Sequence, residues 1–319
     1  MPEVSAARPG RLARLVALQP ARPRISIDQG GTRTRQTATL IHSRRNDGRL
    51  SGLVKIQPPQ LLKIQPAPTS LGITGGEPTL FGEGFIDLLH HVKNWLPRAS
   101  LHVLSNGRSF ADEAFARAYA AVDHPDLMVG IPVYSDDPAR HDYVVQARGA
   151  FDETIRGILN LKRCRQKVEI RVVLHKQTCE GLPRLAEYIV RNLLFVDHVA
   201  LMGLEMTGFT RANLDALWID PIEYRDQLSE AVGVLRSYGI PVSVFNHPLC
   251  LVNRDVEPCY VKSISDWKNE FARECEPCKR KHECGGFFSS GIRHGYSQSI
   301  TPFTNLRGTA RDTEIRVCG

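Results

Sequence analysis

Between about residue 70 and residue 245 the chain alternates short apolar runs with amphipathic segments, and this alternation restricts the fold more than any other feature. Leu71–Thr74, Leu101–Leu104, Leu127–Val133, Val168–Leu174, Val199–Met202 and Pro241–Phe245 read as short buried strands. Residues 84–95, 112–122, 151–162, 182–193 and 221–238 between them carry apolar side chains at helical spacing, and Thr37–Ile41 offers one strand more at the front. Strands separated by helices of ~10–15 residues cannot close as hairpins. They predict right-handed βαβ units, hence an α/β fold with a parallel sheet covered by helices. After Phe245 the alternation stops. The tail is short, irregular and rich in Cys, Gly and Ser, which predicts a small metal-stapled appendage whose fold depends on its metal. Three regions follow: a basic, disordered arm over 1–36, an α/β core over 37–245, and a Cys-rich extension over 246–319.

The formal charge of +7, with pI near 9.0, invites a nucleic-acid reading until its location is considered. Residues 1–60 hold ten Arg and one Lys against Glu3, Asp28 and Asp47, while the rest of the chain carries 30 basic and 31 acidic side chains. The body is therefore electrically neutral, and nucleic acid is not expected as a partner. No apolar run approaches the ~18 residues that span a bilayer, so no membrane partner is expected either. No P-loop, no GxGxxG after a strand and no GxSxG is present, which leaves nucleotide hydrolysis, dinucleotide binding and α/β-hydrolase chemistry without support.

The eight cysteines are as uneven as the charge. None precedes Cys164, and Cys275, Cys278 and Cys284 fall within ten residues. A tight cluster late in a long chain points to metal binding in a reducing, cytoplasmic setting rather than to disulfides. Cys275-x2-Cys278 puts two thiols on one knuckle, and Gly285-Gly286 permits a tight return after Cys284. Cys250 or Cys259 can supply a fourth ligand. Spacing alone fits structural zinc, with His282 completing a Cys3His set, as readily as iron–sulfur. His90-His91 reads as a polar helix flank, Cys164 and Cys179 as packing side chains, and Cys318 as a free thiol.

Functional groups of parallel α/β proteins gather in the loops after the strand C-termini. Three successive strands here are followed by Gly75-Gly76-Glu77-Pro78, Ser105-Asn106-Gly107 and Tyr134-Ser135-Asp136. Paired glycines admit a ligand to the backbone, Glu77 offers a carboxylate and Pro78 fixes the turn.

In this order and spacing the three loops resemble the radical S-adenosylmethionine (SAM) superfamily. The stretch from Gln57-Pro58-Pro59 through Leu71-Gly72-Ile73-Thr74-Gly75-Gly76-Glu77-Pro78-Thr79-Leu80 is similar to the His-Xaa-Ser system radical SAM maturases within it. So are Leu201-Met202-Gly203-Leu204-Glu205, the run Ser263-Ile264-Ser265-Asp266-Trp267-Lys268-Asn269 and Cys284-Gly285-Gly286-Phe287-Phe288. The likeness covers about residues 57–303. It implies a partial (β/α)6 barrel with a C-terminal iron–sulfur extension, SAM as cofactor, and an auxiliary [4Fe–4S] cluster held by Cys250, Cys275, Cys278 and Cys284. Carried over by position, Gly75, Gly76, Glu77 and Pro78 would line the SAM amino group, with Asn106 and Ser135 near its ribose or carboxylate. Glu205 would contact ligand or form an ion pair at the barrel rim. Arg171 would reach the SAM carboxylate or form an outward ion pair.

The chain departs from that family at the CxxxCxxC motif, whose thiolates hold the SAM-binding cluster. The expected positions fall on Gly48, Gly52 and Lys55 in one register and on Arg45, Arg49 and Gly52 in another, and neither contains sulfur. Glycine, ammonium and guanidinium do not ligate iron as thiolates do. Two readings fit the loss: a pseudo-enzyme that keeps the barrel, or a coding frame disturbed ahead of codon 57. The resemblance implies oxidative maturation of a small ribosomally made His-Xaa-Ser repeat peptide, served by an electron-donor protein. For a chain without the SAM cluster, it implies a catalytically inactive, metal-stapled peptide-binding protein that partners a related maturase.

Overall fold

The computed structural model describes residues 37–42, 70–262 and 269–304. The arm over 1–36, the positions aligned with CxxxCxxC, Gln57–Pro59, residues 263–268 and Cys318 lie outside them. Contacts divide the chain into two compact units, Met1–Leu104 and Ser105–Gly319.

In the first unit β1 (Thr37–His42), β2 (Ser70–Gly75) and β3 (Ser100–Leu104) pair in parallel in sequence order, with Thr37 opposite Ser70 and Ser70 opposite Ser100. Helix α1 (Glu83–Trp95) joins β2 to β3 and buries Phe85, Leu89 and Val92, an i, i+4, i+7 stripe. His90 and His91 sit on its exposed side, as a polar flank should.

The second unit contains α2 (Glu113–Ala121), β4 (Leu127–Pro132), α3 (Pro138–Val145), α4 (Ala150–Arg163), β5 (Lys167–Leu174) and α5 (Leu182–Asn192). It continues through β6 (His198–Gly203), α6 (Phe209–Ala212), α7 (Leu214–Leu217), α8 (Pro221–Ser237) and β7 (Val242–Phe245). β4, β5, β6 and β7 pair in parallel, again in sequence order. Winding in one direction without a reversal of strand order is the connectivity of (β/α) barrels, whereas doubly wound sheets reverse. The α/β class and each expected strand and long helix are present. The short helices α3, α6 and α7 carry too few turns to show a period and were not expected.

The core lies where alternate strand residues meet the helices. Val168, Ile170, Val172 and Leu174 of β5 are fully buried, as are Val199 and Leu201 of β6. On α5, Leu182, Leu185, Ala186, Ile189 and Val190 form the matching stripe. The opposite face of these strands is polar at its start. Glu169 accepts from His198 Nδ1 at 2.7 Å, His198 Nε2 stands 2.9 Å from Ser243 Oγ, and Arg171 Nε lies 2.8 Å from the other Glu169 oxygen. The Arg171 pairing is thus an ion pair within its own strand. Although the spacing of Ser243, His198 and Glu169 equals that of a hydrolase relay, the three sit near the N-terminal ends of β7, β6 and β5. That is the end opposite the one where sites form in such folds, so the row serves to pin strand register.

After β7 the chain is irregular, as expected, with short 3-10 turns at Leu249–Leu251, Glu257–Cys259 and Arg273–Cys275 and one last helix, α9 (Ser289–His294). Isolated bridges from Val244 to Tyr260 and from Glu270 to Phe287 tie it down. No helix among the described residues is long and apolar enough to cross a membrane.

Candidate functional site

The extension brings four distant thiols to one place. Cys250, Cys275, Cys278 and Cys284 line a single hollow, with Phe271, Phe287, Ile300, Pro302 and Phe303 among its other walls. Cys259 is buried elsewhere and His282 is exposed outside it, so neither belongs to its walls. The turn carrying Cys275 closes through Cys278 N–H donating to the Cys275 carbonyl at 3.1 Å. Arg280 clamps the segment between Cys278 and Cys284, reaching Glu257 at 2.9 Å and Glu283 at 2.8 Å with its guanidinium over the Phe303 ring. Backbone N–H groups of Leu249 and Gly286 donate to Cys284 Sγ at 3.2 and 3.3 Å.

Burial pushes the Cys250 thiol up to about 11, against a pull from the Thr301 backbone, and burial raises Cys275 as well. Burial thus favours the neutral thiols, and a bound cationic centre would have to offset that to hold either sulfur as a thiolate. Lys281 lines the hollow and adds one positive charge. Among the described residues, no group of three or more His, Cys, Asp and Glu stands close enough to hold a single ion. Soft sulfur donors, N–H···S bonds and apolar walls are the donor chemistry of an iron–sulfur cluster.

The strand-end loops are built differently from the simple picture of side chains pointing at a ligand. After β2, Glu77 caps the 3-10 turn Pro78–Phe81, its Oε1 accepting from Thr79 N at 3.2 Å and Thr79 Oγ1 at 2.7 Å. Gly76 is exposed and Pro78 buried beside it, with Gly75 the last residue of β2. In the second unit, Asn106 Oδ1 accepts from Arg108 N at 2.9 Å and Ser105 Oγ from Gly107 N at 3.1 Å, shaping a loop whose Gly107 has φ +81. Helix α4 supports this loop. Thr154 donates to the Asn106 carbonyl at 3.1 Å, Asn160 to the carbonyls of Phe110 and Ala111, and Gly157 lies against the Gly107 carbonyl. Ser135 Oγ accepts from Asp137 N at 3.1 Å, and Asp137 caps α3. Glu77, Asn106 and Ser135 therefore set the shapes of their loops. Asn106 and Ser135 sit in successive strand-end loops of the second unit, and the GGEP residues sit at the equivalent place in the first.

Sequence reasoning missed the buried Tyr224–His247 pair at the end of β7. Tyr224 Oη and His247 Nε2 are 2.9 Å apart, His247 Nδ1 is 2.7 Å from the Phe245 carbonyl, and burial lowers the imidazole to about 4. The His247 carbonyl accepts from Tyr260, whose hydroxyl accepts from Gly285 N beside Cys284. No local pattern marks such a pair, since its members are 23 residues apart.

No family model and no curated protein matches this chain. Among solved structures, it is similar to Streptococcus suis SuiB bound to precursor peptide SuiA, with TM-score 0.44 and 16% identity over 55% of this chain and 38% of that one. It is similar to native anSMEcpe with bound AdoMet (TM-score 0.43, 17% identity, 56% and 50% covered). A third is HemN, the coproporphyrinogen III oxidase from Escherichia coli and a radical SAM enzyme (TM-score 0.39, 16% identity, 54% and 41% covered). The chain thus spans half or less of the length of each of these proteins.

Proposed function

We propose that this chain is a protein of the radical SAM peptide-maturase type that holds an auxiliary iron–sulfur cluster and a peptide but lacks the ligands for the cluster that cleaves SAM. The observation that carries this reading is the hollow lined by Cys250, Cys275, Cys278 and Cys284. Its four thiols would supply the ligands of a [4Fe–4S] cluster, the Leu249 and Gly286 N–H groups would tune it through Cys284, and Phe271, Phe287 and Phe303 would exclude water. Such a cluster supplies one-electron transfer when bound.

The SAM cluster does not fit. The eight cysteines of the sequence contain no CxxxCxxC, and none stands ahead of Cys164. No radical step is therefore assigned to this chain. Its own residues can still bind and orient: the GGEP loop offers glycine backbone beside Glu77, a surface suited to SAM or another ammonium-bearing ligand. The biological substrate in this reading is a small ribosomally made peptide with His-Xaa-Ser repeats. The implied partners are an electron-donor protein and a related maturase that retains the SAM cluster.

Anaerobic reconstitution with iron and sulfide tests the proposal. About four irons per chain, as in one cubane, with no 5′-deoxyadenosine formed from SAM and dithionite, is the expected result. About eight irons with SAM cleavage would restore the complete enzyme and overturn the loss. One zinc and no iron would overturn the cluster.

A further inference from the structure

A second hollow adjoins the cysteines. It lies at the C-terminal ends of β5, β6 and β7, beneath the extension, and encloses about 70 Å³. That is room for one side chain rather than a whole small ligand. Leu204, Met206, Trp218, Tyr224, Phe287 and Phe288 supply most of its apolar wall. Pro248, Gly286 and Phe287 belong to both hollows, so an occupant here lies one residue's thickness from the thiols.

Two properties define what can sit there. No Asp, Glu, Lys, Arg or His among the described residues lines the pocket. Against this wall a charged ligand group would lose its hydration without gaining an ionic partner, which disfavours an ammonium, carboxylate or phosphate there. The wall is nevertheless not inert. Asn269 Nδ2 and Ser290 Oγ belong to residues of this wall, and both atoms are buried without a hydrogen-bond partner. An orphaned buried donor is costly, and the pair calls for a carbonyl to accept and an N–H to donate. An uncharged apolar side chain attached to a peptide unit supplies all three.

We propose that this pocket binds an apolar or aromatic residue of a peptide, with its backbone amide held by Asn269 and Ser290. What the peptide is used for rests on the maturase reading above; that it binds does not. The assignment also gives Asn269, the last residue of the Ser263–Asn269 run, a physical task.

The test uses the full chain, both as isolated and after iron–sulfur reconstitution, with N-acetyl-phenylalaninamide as probe and ligand-observed NMR as readout. Saturable binding is expected, with Asn269→Leu weakening it about five- to tenfold, the loss of one buried hydrogen bond, while ethylbenzene binding is unchanged. Leu204→Arg, which brings a charge into the wall, should abolish both. Should either variant misfold, the unaltered chain decides. N-acetyl-aspartic acid amide must then bind at least tenfold more weakly than the phenylalanine amide. Equal affinity for the charged amide, or displacement of the phenylalanine amide by adenosine at lower concentration, overturns the assignment in favour of a nucleoside or unspecific site. Iron loading without probe binding overturns this proposal alone. Probe binding without iron loading overturns the cluster and leaves the pocket standing.

Discussion

Gly286 is one residue the extension cannot exchange. Its φ of +60 is left-handed, and a Cβ there would overlap the Glu270 carbonyl, whose residue bridges to Phe287. The same turn aims the Gly286 N–H at Cys284. Gly286→Ala should therefore disturb the thiol hollow itself, lowering iron bound after reconstitution by at least half, read by iron and sulfide analysis of the folded fraction. Gly157 is held as tightly by the Gly107 carbonyl. Gly157→Ala should cost about 2 kcal/mol, in the range of overpacking substitutions, as a lower urea midpoint. The sequence exposed these positions only in part. Gly285-Gly286 after a cysteine announces a tight return, whereas Gly157 looks like an ordinary helical residue because the backbone it meets lies 50 residues away. Asn106 and Ser135 illustrate the converse. Their place after strands was legible, but that their side chains fold back on the next turn depends on local backbone geometry.

Among the elements, α8 shows how a local code suffices. Asp220 accepts from Ile222 N, Glu223 reaches back to the Asp220 N–H, and Pro221 opens the helix, forming a full capping box. Asp220→Ala should lower stability by about 1 kcal/mol, measured by urea denaturation. The strands show the opposite dependence. Glu169, His198, Arg171 and Ser243 come from three strands and meet only because parallel pairing sets Glu169 opposite His198 and Ala200 opposite Ser243. With Glu169 buried, Glu169→Ala leaves Arg171 and His198 without their carboxylate. It should cost about 3 kcal/mol, the lower range for removing one partner of a buried pair, and a loss under 1 kcal/mol would refute the register-pinning role. In the sequence Glu169, His198 and Ser243 are unremarkable polar residues inside apolar runs, and Arg171 alone stands out.

Across the whole molecule, acid sensitivity is a collective property of the buried histidines. Burial lowers His175 and His247 to about 4 and lowers His141 as well. An unfolded chain binds protons at these sites from about pH 6.5 downward, while the folded chain holds His175 and His247 neutral until near pH 4. Stability is therefore full above pH 6.5 and falls as pH drops through the window from 6.5 to 4, by up to about 3 kcal/mol for each of His175 and His247. Urea midpoints at pH 7, 6 and 5 check this, and His175→Gln should flatten the slope. The order of elements, the parallel α/β class and the irregular cysteine-bearing tail were determined by the sequence alone, because periodicity, helix length and turn residues act over a few residues. The absence of a CxxxCxxC set is likewise a fact of the sequence. Which cysteines share a hollow, with Cys250 inside and Cys259 outside, was decided only by tertiary structure, as was the pocket beside them, whose described wall carries no charged side chain. Both depend on how the extension folds back over the ends of β5, β6 and β7, and contacts between residues far apart in the chain leave no periodic trace in it.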